Sequence, residues 1–383
     1  MKVLIYTHEF PPFQGGIATS AKMIADILST ENEVLVCCPL YSYEDSSLLA
    51  KYSTKKISFF GKDKFKKIPI IQYIQGLLNI KETIDSFNPE KIIFLGEEAE
   101  IVGGLLNNKD IDQIVRIAGS GIESIVKSSS LFKIIPKLLI KRLYKNSKFL
   151  VAVSKNTQEL MNKEPDFFDK TKVRLIYNGV ENYFLEEPKN SSSLQELPLQ
   201  KDDFVLLTVS RLLPRKGQDF VIKALAKINN KKIKYICIGE GRFKSDYIKL
   251  AEELGLKGNV FFLGGVSRDK ICKYYDSANI FILCNRTWNS KIEGLPNVVL
   301  EGMSRSLPVI GSINTGTEEL IQDQTNGFLV DSENVEDIAL KINSAYKKRK
   351  SLDKLGDSAK LFIQNNFSYS EMKKNYLDLV RDE

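Results

Sequence analysis

Short β-branched runs alternate with helical stretches from one end of this chain to the other, and that alternation constrains the fold most. Strands are expected at KVLIY (2–6), EVLVCC (33–38), KIIFLG (91–96), QIVRIA (113–118), FLVAVS (149–154) and VRLIYN (173–178). A second series follows at FVLLTVS (204–210), YICIGE (235–240), VFFLG (260–264), IFILC (280–284), LPVIG (307–311) and GFLV (327–330). Between them, GIATSAKMIADILS (16–29) puts Ile17, Ala21, Ile24 and Leu28 on one helical face. Strands apolar throughout and separated by helices imply parallel sheets covered on both sides. LEEPKNSSSLQELPLQKDD (185–203) breaks the pattern, being polar and rich in Ser and Pro after the turn signal Asn178-Gly179. The expected class is α/β: a Rossmann-like domain over 1–184, a linker over 185–203 and a second Rossmann-like domain over 204–367. A C-terminal helix at about 368–383 is placed back on the first domain. Each domain is a doubly wound parallel sheet, and a cleft between them is the default ligand site.

The stretch KIEGLPNVVLEG (291–302) holds Glu293 and Glu301 with a Gly and a Pro between them. Pro296 suits the first position of a helix running to about 306, so Glu293 falls in a loop and Glu301 in the second turn. The free N–H groups of Gly294, Leu295, Asn297 and Val298 then make an anion and hydroxyl site at the helix start. Two acceptor-only carboxylates beside it can grip sugar or ribose hydroxyls. On spacing alone, an acidic loop before an ordinary helix fits equally well.

In SRLLPRKGQDFVIKAL (210–225), Arg211, Lys216 and Gly217 sit at a strand-to-helix turn, which suits a diphosphate or, taken alone, a solvated basic loop. In EFPPFQGGIATS (9–20), Gly15-Gly16 allows close approach of backbone to a ligand. The pattern is not G-x-G-x-x-G, and no acid is suitably placed for a ribose, so a nicotinamide cofactor is not indicated. No D-x-D in a suitable loop and no His/Asp cluster occurs, so neither cofactor nor catalytic metal is expected.

The five cysteines are scattered and never spaced C-x-x-C, which argues for reduced thiols without a disulfide framework or zinc site. The first residues lack the apolar core of a signal peptide, and no apolar run is long enough to span a membrane. A cytoplasmic protein is expected. The net charge of +7 is uneven: no acid lies between Glu123 and Glu159, yet eight bases do. In LFKIIPKLLIKRLYKNSK (131–148), Lys133, Lys137, Lys141 and Lys145 recur every four residues, with Ile134, Leu138, Leu139 and Leu143 available elsewhere. This basic stripe fits peripheral contact with the anionic inner face of a membrane, or a solvated helix over the core. FFGKDKFKKIPIIQYI (59–74) offers a second basic and apolar patch. The charge is mixed and no binding module is recognisable, so nucleic acid is not an expected partner.

Taken in order, Gly15-Gly16, NGVE (178–181), RLLPRKG (211–217), GEG (239–241), FLGGV (262–266), EGLPNVVLEGM, LPVI and NGFLV (326–330) resemble glycosyltransferase family 4, retaining sugar transferases of GT-B fold. The resemblance covers nearly the whole chain and is strongest over 205–331. It implies that Arg211 and Lys216 bind the donor diphosphate, that Glu301 holds the ribose hydroxyls, and that Glu293 contacts the donor sugar. It further implies that Gly294, Leu295, Pro296 and Asn297 hold sugar hydroxyls and phosphate. Val266 lies against the base, and Gly15 and Gly16 close on the phosphate and sugar. A nucleotide-sugar donor, by the EGLPNVV loop a UDP-sugar rather than a GDP-sugar, and a saccharide or lipid-linked saccharide acceptor follow from the same likeness. One departure stands out: where many members carry a His-Gly pair, this chain has Ala118-Gly119. His8, Ser120 and Glu123 are the candidates to supply the missing contact. An epimerase or hydrolase on the same fold, and a non-catalytic lipid- or nucleotide-binding protein, are the competing readings.

Overall fold

The computed structural model describes residues 1–13, 15–39, 53–57, 69–118, 122, 125–126, 130–189, 194, 197–268, 270–289 and 294–382. Contacts divide the chain into two compact units, Met1–Asn178 with Ser370–Glu383, and Gly179–Tyr369.

The first unit holds β1 (Lys2–Thr7), β2 (Glu33–Pro39), β3 (Ser53–Ile57), β4 (Lys91–Leu95), β5 (Asp112–Ile117), β6 (Phe149–Ala152) and β7 (Val173–Leu175). They form one parallel sheet in the order β3-β2-β1-β4-β5-β6-β7. Its helices are α1 (Gly16–Leu28), α2 (Pro69–Phe87), α3 (Glu97–Leu106), α4 (Ile134–Asn146) and α5 (Lys155–Asn162). Val3 to Tyr6 on β1 and Ile92 to Leu95 on β4 are all buried, which is why both strands read as unbroken apolar runs. The winding reverses between these two strands, so the carboxyl ends of β1 and β4 flank a crevice where ligands bind in such sheets. β3, with the sequence STKKI, was not anticipated. It is a polar strand at the sheet edge, where pairing does not require an apolar run.

The second unit repeats the plan with β8 (Phe204–Val209), β9 (Ile233–Ile238), β10 (Val260–Gly264), β11 (Ile280–Leu283), β12 (Val309–Ser312) and β13 (Gly327–Val330). The parallel order is β10-β9-β8-β11-β12-β13, with the reversal between β8 and β11. Its helices are α6 (Asn182–Glu186), α7 (Gln218–Ile228), α8 (Lys244–Glu253), α9 (Ile271–Asp276), α10 (Asn297–Ser304), α11 (Val335–Lys347) and α12 (Leu352–Asn366). The last helix, α13 (Tyr369–Arg381), joins the first unit and buries Met372, Tyr376, Leu377 and Val380. Just after it, Asp382 accepts from buried Lys91 at 3.2 Å.

The units part at Asn178/Gly179, ahead of the stretch 185–203 expected as the joint. The reason is a buried arginine. Arg305 donates to both carboxylate oxygens of Asp276, at 2.8 and 2.7 Å, and to the carbonyls of Phe184 (3.1 Å), Glu187 (2.7 Å) and Pro188 (3.3 Å). These bonds, with buried Phe184, bind α6 and the residues after it to the second unit. Residues 185–188 therefore belong with the second unit, not with a joint between the two.

Candidate active site

The site is built at the β8/β11 reversal of the second unit. The loop after β8 carries Arg211, exposed, and Lys216, buried to 8% exposure. Its turn Pro214–Lys216 ends at Gly217, whose φ of 74° is left-handed. A Cβ at Gly217 would overlap the carbonyl oxygen of Cys284, at the end of β11. Glycine is therefore required on two counts, and it draws the basic turn against β11. There Arg286 N–H donates to the Arg215 carbonyl at 3.0 Å. The Arg286 side chain pairs with Asp219 at 2.9 Å and lies over the Phe220 ring at 4.3 Å, neutralising the acid in the first turn of α7.

Backbone bonds gather two more loops beside it. Ser210 N–H donates to Ile238 O (2.9 Å), Leu212 N–H to Glu240 O (3.0 Å) and Gly239 N–H to Gly264 O (2.7 Å). The GEG turn after β9 thus bridges the Arg211 loop and the end of β10. Val266, half-buried, lies just beyond β10.

Helix α10 starts at Asn297 with Pro296 as its N-cap, one residue later than expected, and ends at Ser304 rather than near 306. Behind the start, the 314–317 loop packs on Gly294: a Cβ on Gly316 would overlap the Gly294 carbonyl. Buried Asn285 donates to Thr317 Oγ1 at 3.1 Å, fixing that loop to the end of β11. Leu295 and Pro296 are buried, while Gly294 and Asn297 are half-buried. Glu293 lies outside the described residues.

Glu301 projects from the second turn of α10 with a side chain 7% exposed. Tyr275 Oη donates to its Oε2 at 3.0 Å, and Arg268 Nη1 to its Oε1 at 3.0 Å. Burial, then the Glu301 charge, raise the Tyr275 pKa well above normal, so the phenol remains a donor. Arg268 is in turn held by Glu181, which accepts from Nε at 3.0 Å and also from Nη2, and by the Phe184 ring at 5.4 Å. The Arg268 side chain is 41% exposed; partial desolvation opposes its charge, but Glu301 and Glu181 outweigh it and hold the pKa above normal. None of these partners was anticipated. The legible signals were Glu181 within NGVE and an arginine two residues beyond Val266.

In the first unit, His8 follows β1 directly and meets the Tyr6 ring edge-on at 5.5 Å. Burial lowers its pKa to about 4, so the imidazole is neutral at neutral pH. Gly15 is the extended N-cap of α1, and Gly16, its first residue, has open space where a Cβ would stand. Ser120 and Glu123 lie outside the described residues. The stripe Lys133, Lys137, Lys141 and Lys145 falls on α4 and the short turn before it. Lys137 donates to Val126 O at 2.5 Å, and Lys141 lies over the Phe167 ring at 5.1 Å. Leu139 and Leu143, expected to be available for surface contact, are instead buried in the core, because α4 turns them toward α3. The exposed apolar residues are Leu131, Phe132, Ile134, Ile135 and Leu138. Among the described residues no helix is long and apolar enough to cross a membrane, and no group of three His, Cys, Asp or Glu gathers as a metal site.

A family profile described as glycosyl transferases group 1 matches residues 190–362. The UDP-Gal:alpha-D-GlcNAc-diphosphoundecaprenol alpha-1,3-galactosyltransferase of Escherichia coli is 23% identical, the match covering 99% of this chain and 98% of that one. The GDP-mannose-dependent alpha-(1-6)-phosphatidylinositol monomannoside mannosyltransferase of Mycolicibacterium smegmatis is 21% identical over 96% of this chain and 95% of its own. Among solved structures, Anabaena Alr3699/HepE in complex with UDP and glucose superposes with a TM-score of 0.81, covering 100% of both chains at 20% identity. Two Rossmann-like units of this topology, the motif-bearing loops at the β8/β11 reversal and these full-length likenesses lead to one conclusion: residues 190–362 are a group 1 glycosyl transferase region in a chain of GT-B fold, and the protein is a nucleotide-sugar-dependent glycosyltransferase.

Proposed function

We propose that the protein moves a hexosyl or N-acetylhexosaminyl group, with retention, from a UDP-sugar to a lipid-linked saccharide in surface polysaccharide assembly. The observation that carries this reading is the gathering of the Arg211–Lys216 turn, the α10 start and Glu301 around the β8/β11 reversal. In it, Arg211 and Lys216 neutralise the diphosphate and the N–H groups of Gly294, Leu295 and Asn297 hold phosphate and sugar oxygens. Glu301 takes the ribose hydroxyls, Glu293 the sugar, and Val266 the base. Gly15 and Gly16 are further donor-binding residues, and His8, Ser120 and Glu123 are the candidate acceptor or sugar contacts. The same cations and helix dipole stabilise the leaving diphosphate as an oxocarbenium-like state forms, without a metal. The UDP-dependent Escherichia coli relative and the UDP-bound Anabaena structure support the choice of base and a lipid-diphosphate acceptor.

The acceptor's lipid suggests where the enzyme works. Leu131 and Phe132 are 79% and 95% exposed beside Lys133, with Ile135 and Leu138 exposed on the next turn. An apolar tip among lysines suits the cytoplasmic, anionic face of a membrane. The test is incubation with a panel of UDP- and GDP-sugars and an undecaprenyl-diphosphate saccharide. Acceptor-dependent transfer from a UDP-sugar, with the anomeric configuration retained by NMR, is expected. Turnover of donor without acceptor would favour an epimerase or hydrolase, and transfer from GDP-mannose alone would overturn the base.

A further inference from the structure

The unusual element of this site is the arginine behind the carboxylate. Arg268 stands between two acids, Glu181 and Glu301, and its planar guanidinium is held by hydrogen bonds to both, Nε and Nη2 to the first and Nη1 to the second, and lies by the Phe184 ring. A carboxylate has lone pairs for about four hydrogen bonds. On Glu301 one is used on each oxygen, by Arg268 on Oε1 and by Tyr275 on Oε2, both at 3.0 Å. One acceptor position per oxygen is left, which matches the two neighbouring hydroxyls of a ribose. The two donors also fix the plane of the carboxylate before a ligand arrives, which lowers the ordering cost of binding. Because Tyr275 and Arg268 are both donors toward it, the remaining lone pairs of Glu301 are left to accept from the ligand's hydroxyls.

We infer that Arg268, with Tyr275, is a positioning residue that sets the preference of this site for a ribonucleoside over a deoxyribonucleoside diphosphate by orienting Glu301. The inference rests on the proposed placing of the donor ribose at Glu301. The alternative for the same geometry is a plug, in which Arg268 occupies the acceptor sites and must be displaced by the nucleotide.

Calorimetric binding of UDP and 2′-deoxy-UDP to the wild-type protein, Arg268→Ala, Arg268→Lys and Glu301→Gln separates these. Wild type is expected to prefer UDP by about ten-fold or more, the worth of a hydrogen bond to a charged group. Arg268→Ala should lose most of that preference by weakening UDP while 2′-deoxy-UDP binds within about two-fold of wild type, with Arg268→Lys in between. Equal weakening of both ligands would make Arg268 merely structural, and tighter UDP binding in Arg268→Ala would make it a plug; either overturns the inference. A preference that survives in Glu301→Gln would instead overturn the placing of ribose at Glu301. Failure of wild type to bind UDP would remove the donor reading itself, and the inference with it.

Discussion

Arg268 and Glu301 meet at 3.0 Å, Nη1 to Oε1, and this contact joins the loop after β10 to the second turn of α10. With Glu181 on its far side, Arg268 links the segment after Gly179 to the helix of the E-x7-E motif, all within the second unit. The Glu301 carboxylate is thereby aimed by side chains remote from it in sequence.

Removing the cations proposed to hold the diphosphate should hurt donor binding more than folding. Arg211→Ala and Lys216→Ala are each expected to weaken UDP about ten- to a hundred-fold, in the range of charge-assisted hydrogen bonds, while uridine binding stays nearly unchanged. Calorimetry with both ligands checks this. Lys216 is the buried one of the pair, so its melting temperature should be followed alongside.

The turn that carries those cations depends on Gly217. Gly217→Ala meets both a left-handed φ and the Cys284 carbonyl. A loss of more than about 1 kcal/mol is expected in urea unfolding, beyond the ordinary Gly-to-Ala backbone term, together with weaker UDP binding. A neutral or stabilising effect would show that the turn is not held as described.

Arg305 and Asp276 form a bidentate pair whose side chains are 2% and 1% exposed. Breaking it by Asp276→Ala leaves a buried guanidinium and is expected to cost about 3–5 kcal/mol. Replacing both partners by apolar residues should recover part of that loss. Chemical denaturation of the single and double variants tests the pair.

A pH dependence arises in the first unit. Glu100, on α3, is buried beneath α4 and accepts from Tyr144 Oη at 2.7 Å. Burial raises its pKa from 4.5 to about 7, although the Tyr144 bond works the other way. The unfolded chain therefore gives up this proton first, and stability falls as the pH rises from 4.5 through 7. The total is of order 3 kcal/mol at most. Glu100→Gln, which keeps a neutral acceptor for Tyr144, should be more stable than wild type at pH 8 and nearly equal at pH 4.5. Denaturation at the two pH values decides it.

Much of this was legible because burial leaves a mark on sequence. The central strands are covered on both faces and appear as unbroken apolar runs, and Gly-x-Pro before an apolar run announced the α10 start. Polar strand β3 left no such mark, since an edge strand needs none. Arg268 and Arg305 look like surface cations in the sequence. What assigns them is tertiary: Glu181 and Glu301 for one, Asp276 and the carbonyls of residues 184–188 for the other. The same limit affected α4, where leucines and lysines share a four-residue rhythm and only packing against α3 shows that Leu139 and Leu143 face inward.

The most direct test of the donor site is a thermal-shift panel of UDP, GDP and their sugars on the wild-type protein, Glu301→Ala and Lys216→Ala. Stabilisation of wild type by UDP and UDP-sugars, lost in both variants, is the expected result. Stabilisation that persists undiminished in both variants, or none with any nucleotide, would contradict a donor site at the β8/β11 reversal.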